Sequence, residues 1–100
     1  MSYSLEIRQE AFSDVLEIVK WYDGKSSITG DAFLEELYTT LEIIKKYPSS
    51  CRLSEYGCRE KQLKRFPFAI VFRIEKKKIN VFAVMHIRRN PIWLKKRFKN

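Results

Sequence analysis

The spacing of apolar residues changes once along this 100-residue chain, near Pro48, and that change limits the folds open to it. Before it, Phe12, Val15, Leu16, Val19 and Tyr22, then Phe33, Leu34, Leu37, Tyr38, Leu41, Ile44 and Tyr47, recur at intervals of three and four. That spacing lines one face of an α-helix. After it, Phe68, Ile70, Phe72 and Ile74 alternate with Ala69, Val71 and Arg73, as successive strand residues do. Helices followed by strands, rather than the two alternating, predict an α+β domain in which the helical stripes are buried against a sheet. The length suits one domain over residues 1–100.

The boundaries follow from local chemistry. Tyr3-Ser-Leu-Glu-Ile alternates and reads as a first strand. A helix runs from Gln9 to Asp23-Gly24, where the glycine is expected to cap it in the left-handed conformation. Thr29 or Asp31 is expected to open a second helix, which Pro48 stops. The two helices should pack as an antiparallel hairpin. Ser49–Gly57 reads as loop, and Cys58–Phe66, Phe68–Glu75 and Ile79–Ile87 read as a three-stranded antiparallel meander with a charged reversal at Lys76-Lys77-Lys78. On the last strand Ile79, Val81, Ala83, Met85 and Ile87 are expected to oppose Asn80, Phe82, Val84 and His86. The tail Asn90–Asn100 reads as a last turn of helix or an extended arm.

Charge divides along the same line. Residues 1–50 carry five basic and nine acidic side chains, a net of −4, and residues 51–100 carry fifteen against three, a net of +12. The total of +8 points to a polyanion or an acidic protein as partner. No run approaches the ~20 apolar residues of a membrane-spanning helix, and Met1–Gln9 lacks the basic start and apolar run of a signal peptide. A cytoplasmic protein without membrane contact is expected. Cys51 and Cys58, with six residues between them, have neither CxxC spacing nor a second histidine for zinc. They read as reduced thiols, with a bridge across the Glu55-Tyr56-Gly57 turn as the alternative. No metal or cofactor is expected.

Two stretches carry more specific information: Leu63-Lys-Arg-Phe-Pro-Phe-Ala-Ile-Val-Phe-Arg-Ile-Glu75, and Ile79-Asn-Val-Phe-Ala-Val-Met-His-Ile-Arg-Arg-Asn-Pro-Ile-Trp93. With Trp21-Tyr22 near the end of the first helix and Phe33, Leu37 and Leu41 in the second, they resemble the RelE/ParE toxins of bacterial type II toxin–antitoxin pairs, of the plasmid-stabilisation type. The resemblance covers nearly the whole chain. It implies a curved antiparallel sheet packed on a helical hairpin, and a cognate antitoxin that wraps and neutralises the toxin. RelE-like members cut messenger RNA at the ribosome, whereas ParE-like members inhibit DNA gyrase.

For RNA cleavage, proton transfer and charge stabilisation around the phosphorane are required. His86, the sole histidine, is the acid or base candidate, with Arg65 and Arg73, and also Arg59 and Arg88, as phosphate clamps. RelE-like nucleases commonly place a basic residue inside the third strand, where this chain has Ala69, and a tyrosine near the C-terminus, where it has Trp93. Gyrase inhibition requires only a fitting surface, for which Arg59, Arg88, Arg89, Trp93, Lys95, Lys96 and Arg97 are the candidates. The sequence reading favours the ParE-like function, with a RelE-like nuclease or a non-toxic nucleic-acid-binding relative as alternatives. Each candidate also has a structural reading. His86 packs on its strand, Trp93 pins the tail to the sheet, and Arg59, Arg65 and Arg73 pair with the acidic helices.

Overall fold

The computed structural model describes residues 3–90 and 92–98. Pro91 and residues 99 and 100 of the predicted tail lie outside the described residues, as do residues 1 and 2. Strand β1 (Ser4–Ile7) leads into α1 (Gln9–Asp23) and α2 (Ser27–Lys46). A single 3₁₀ turn follows at Pro48–Ser50, then β2 (Arg52–Leu53), β3 (Arg59–Gln62), β4 (Phe68–Glu75), β5 (Lys78–His86) and a short helix α3 (Ile92–Phe98). The strands form one sheet in the order β1-β5-β4-β3-β2. β1 runs parallel to β5 and the other neighbours pair antiparallel.

The helical hairpin forms where the periodicity places it, but its corner differs from expectation. Gly24 is right-handed, with φ −63°. The chain turns instead by stacking N–H groups: Gly24 N donates to the Lys20 carbonyl at 3.1 Å, and Lys25 N and Ser26 N both donate to that of Tyr22 at 2.9 Å. The Ser26 hydroxyl then accepts from Ile28 N at 3.3 Å, so α2 begins ahead of Thr29 and Asp31. Gly30 faces α1 so closely that a Cβ there would meet the Asp23 carboxylate. Phe33, Leu37, Leu41 and Ile44 of α2 and Ala11 and Val15 of α1 are buried against Ile70, Phe72, Ile79, Val81 and Val84 of the sheet. Each large side chain so buried contributes about 1.5–3 kcal/mol.

The sheet has five strands rather than four, because the stretch read as loop contains β2. Arg52 and Leu53 pair with Glu60 and Arg59 across a turn with Tyr56 (φ 59°) and Gly57 (φ 73°) in the left-handed region. β3 is also shorter than Cys58–Phe66. Leu63 N still donates to the Phe68 carbonyl at 2.9 Å, and beyond it the backbone turns away from β4, where the Glu36 carboxylate of α2 accepts from Lys64 N and Arg65 N, the latter at 3.0 Å.

A further difference concerns β5. Val71 of β4 lies opposite Ala83, while its neighbour Phe72 lies opposite Val81, so Phe82 is an extra residue in the ladder. This bulge inverts the alternation beyond it. Ile79, Val81 and Val84 face the hairpin, whereas Ala83 and Met85 join a second cluster with Cys58, Val71 and Leu94 on the opposite face. The expected sets, Ile79 with Met85 and Asn80 with His86, are therefore each split. Cys51 belongs to the hairpin-side core and Cys58 to the outer one, and both thiols are free.

Candidate functional site on the outer sheet face

The outer face is organised by backbone groups that lack a strand partner. β1 stops opposite Val81, so on that edge of β5 the Phe82 carbonyl and the Val84 N–H have no ladder bond available from it. Asp14, on α1, supplies what is missing. Its Oδ2 accepts from Val84 N at 3.0 Å and from Arg97 Nη1 at 2.7 Å, and Arg97 Nη1 also donates to the Phe82 carbonyl at 3.0 Å. Arg97 Nη2 reaches Asp14 Oδ1 at 3.2 Å, completing a two-pronged pair. The two side chains are only 17% and 14% exposed. This joint fixes α3 across the sheet, with Leu94 fully buried beneath it.

Around α3, guanidinium groups alternate with rings. Arg89 and Arg97 lie over Trp93 at 4.1 and 4.3 Å, and Arg73 lies over Phe98 at 4.2 Å. Phe98 stands edge-on to Phe82 at 4.8 Å. Arg73 also donates from Nη2 to the Tyr56 carbonyl at 2.6 Å, tying the β2–β3 turn to β4. The indole Nε1 of Trp93 is buried without a hydrogen-bond partner among the described residues. Burial pushes the Cys58 thiol above its ordinary pKa, and the neighbouring Arg73 charge offsets this only in part.

The candidate residues therefore fall into three groups. Arg88, Arg89, Lys95 and Lys96 are exposed, on the last turn after β5 and on α3. Arg73, Trp93 and Arg97 lie beside them, but the donors of both arginines are engaged internally. Arg59, Arg65 and His86 lie elsewhere. Arg59 donates to the carbonyls of Cys51 at 2.8 Å and Ser49 at 3.2 Å, stapling β3 to the 3₁₀ turn. Arg65 pairs with Glu36 on α2 at 3.1 Å. His86, past the bulge and opposite Phe68, has its ring edge-on to that residue at 5.4 Å, and Phe68 packs on the hairpin-side core. His86, Arg65 and Arg73 are thus not brought together.

Two residues that organise this arrangement, Asp14 and Glu36, had no distinguishing signal in the sequence. Each is one of nine acidic side chains in the first half. Burial pushes the Glu36 carboxyl up, but the Arg65 and Lys64 N–H groups and the Arg65 side chain outweigh it and hold the group below its ordinary pKa. A groove of about 330 Å³ also opens on the outer face between Arg52–Ser54, Glu60, Met85 and Arg89. Its wall at β2 carries no sequence signal, because two residues are too few to show an alternation. Among the described residues no helix is long and apolar enough to cross a membrane, and no cluster of three His, Cys, Asp or Glu side chains is placed to hold a metal ion.

Comparison with known proteins gives a consistent result. The family model for the ParE toxin of the type II toxin–antitoxin system parDE matches residues 5–91. Among solved structures, the chain is similar to a chain of the chromosomal ParDE system from P. aeruginosa, with TM-score 0.77 and 21% identity over 85% of this chain and 96% of that one. It is similar to a free double arginine-to-alanine mutant of the E. coli toxin RelE, with TM-score 0.68 and 14% identity over 99% and 97%. A chain of the RelBE2 toxin–antitoxin complex of Mycobacterium tuberculosis aligns with TM-score 0.57 and 13% identity over 86% and 99%. No curated protein matches.

Proposed function

Because the chain belongs to the ParE toxin family of type II toxin–antitoxin systems, we propose that it arrests growth when free by binding DNA gyrase, and that a cognate antitoxin neutralises it. The binding surface is the cationic rim of Arg88, Arg89, Lys95 and Lys96 around Trp93. One observation carries this reading. The exposed cations converge beside α3, whereas the residues a nuclease would need lie on opposite sheet faces and in a separate loop. A rim of arginines with an aromatic anchor can hold a protein target without any catalytic group.

The antitoxin half of the proposal draws on the neighbours, which come from toxin–antitoxin systems, and on two surface properties. The net charge of +8 favours an acidic partner. Phe12 and Leu16 of α1 and Ile28 and Tyr38 of α2 stand exposed on the hairpin, apolar area that a partner can cover.

The test is induced expression with two readouts, gyrase supercoiling by purified protein and integrity of ribosome-bound message. Supercoiling should be blocked with message intact. Reversing all four rim charges to glutamate should abolish the arrest while shifting Tm by only a few degrees, since exposed charges contribute little to stability. Cleaved message with unimpaired gyrase would reverse the assignment in favour of RelE-like nuclease action.

A further inference from the structure

A second recess lies on the other side of the sheet from the cationic rim. Trp21 and Tyr22, in the last turns of α1, face Pro67 and Phe68 at the start of β4 and His86 at the end of β5, enclosing about 260 Å³. The recess exists because of the Phe82 bulge, which turns His86 toward the hairpin. Its walls are held in place. Tyr22 stands edge-on to Phe66 at 5.2 Å and to Trp21 at 5.0 Å, and His86 edge-on to Phe68 at 5.4 Å. Arg88 N donates to His86 Nδ1 at 3.1 Å, which fixes the ring and makes Nδ1 an acceptor. Yet Trp21, the largest wall, is 60% exposed.

Size, polarity and charge together narrow the occupant. The volume falls below the ~300–1,000 Å³ of sites for free small molecules, and has room for one large side chain. The lining is rings, and the polar groups those residues carry are the Tyr22 hydroxyl, the Trp21 indole N–H and the His86 imidazole. The rim is cationic: the Lys25 ammonium lies 4.9 Å from the Trp21 ring centre. An apolar side chain flanked by a carboxylate complements this arrangement on both counts.

Taking the chain as a toxin neutralised by an acidic antitoxin, we propose that this aromatic recess is the antitoxin's anchor point. One leucine, methionine or aromatic side chain of the antitoxin enters between Trp21 and His86, and an adjacent carboxylate meets Lys25. The recess and the rim of Arg89, Lys95 and Lys96 occupy opposite sheet faces, so neutralisation and toxicity are separable by mutation.

The test combines growth with tight binding of the co-expressed antitoxin. Trp21→Ala, Trp21→Lys and Lys25→Glu, alone, should arrest growth as the parent does, with Tm within a few degrees of it. Each should resist rescue, and Trp21→Ala should weaken the purified complex about 30-fold, the loss typical of a central anchor. In a Trp93→Phe background Trp21 is the sole tryptophan, and its emission should shift to the blue when antitoxin binds. Parental affinity for Trp21→Lys, with Trp21 emission unmoved, would overturn the assignment. If the parent fails to arrest growth, the proposed toxicity falls, while the emission and affinity readouts still decide the recess.

Discussion

Replacing Asp14 with alanine removes one carboxylate and orphans two partners, and the structure sets the scale of the damage. Arg97 loses both prongs of its pair and keeps only the Phe82 carbonyl and its stacking on Trp93. Val84 N, on the inner strand β5, loses its acceptor. Removing one partner of a buried ion pair costs about 3–5 kcal/mol, and an unsatisfied buried N–H about 1–3 kcal/mol. Because Asp14 and Arg97 retain 14% and 17% exposure, water relieves part of this, and the net loss should be about 3 kcal/mol. For a domain of this length that is a fall in Tm of about 12–24 °C. Asp14→Asn keeps an acceptor for Val84 and should lose about half as much. The assay is a double-mutant cycle of Asp14→Ala and Arg97→Met by urea denaturation, with hydrogen exchange over residues 94–98 reporting whether α3 undocks. A coupling energy of about 1.5 kcal/mol or more is expected. A value under about 0.5 kcal/mol, typical of solvated surface pairs, would refute the claim that this joint secures α3.

Two other perturbations probe separate parts of the fold. The Glu36 carboxyl titrates below its ordinary value of 4.5 in the folded chain, so its contribution is complete above that value and is lost as pH falls through the depressed one. Glu36→Gln should therefore cost about 1–2 kcal/mol at pH 7, and the gap to the parent in urea midpoint should close on acidification toward pH 2.5; a gap independent of pH would contradict the assignment. Burial raises both thiol pKa values, with Lys61 and Arg59 near Cys51 and Arg73 near Cys58 opposing it only in part. Native protein at pH 8 should thus react with iodoacetamide at least ~100-fold more slowly than free cysteine. Fast labelling of both, or an internal bridge between residues assigned to different cores, would show that this packing is wrong.

Much of the architecture was legible because it rests on local periodicity. The three-and-four spacing from Phe12 to Tyr47 marks two helices, and the alternation from Phe68 to Ile74 marks a strand whose two faces are those observed. Their segregation along the chain implies an α+β domain without reference to any contact. The concentration of positive charge in the second half was likewise visible by counting. The split of β5 was not, because a bulge leaves no mark on composition. Phe82 is one apolar residue among several, and only the register against β4 shows it to be surplus.

That surplus residue decides what the candidate site contains. Local alternation would place His86 with Asn80 and away from Ile79; the bulge sends it to the hairpin side with Ile79 and Val81, into a ring-lined recess, and leaves Arg73 and the α3 cations on the other face. The sequence by itself thus determined the elements, their order and the sign of the charge. Tertiary structure alone decided which side chains share a surface. The length of β1 leaves the Phe82 carbonyl and Val84 N–H without a ladder, and the groups that satisfy them, Asp14 and Arg97, lie 83 residues apart. Unpaired backbone groups must find partners wherever the chain brings them, and no local pattern encodes so distant a meeting.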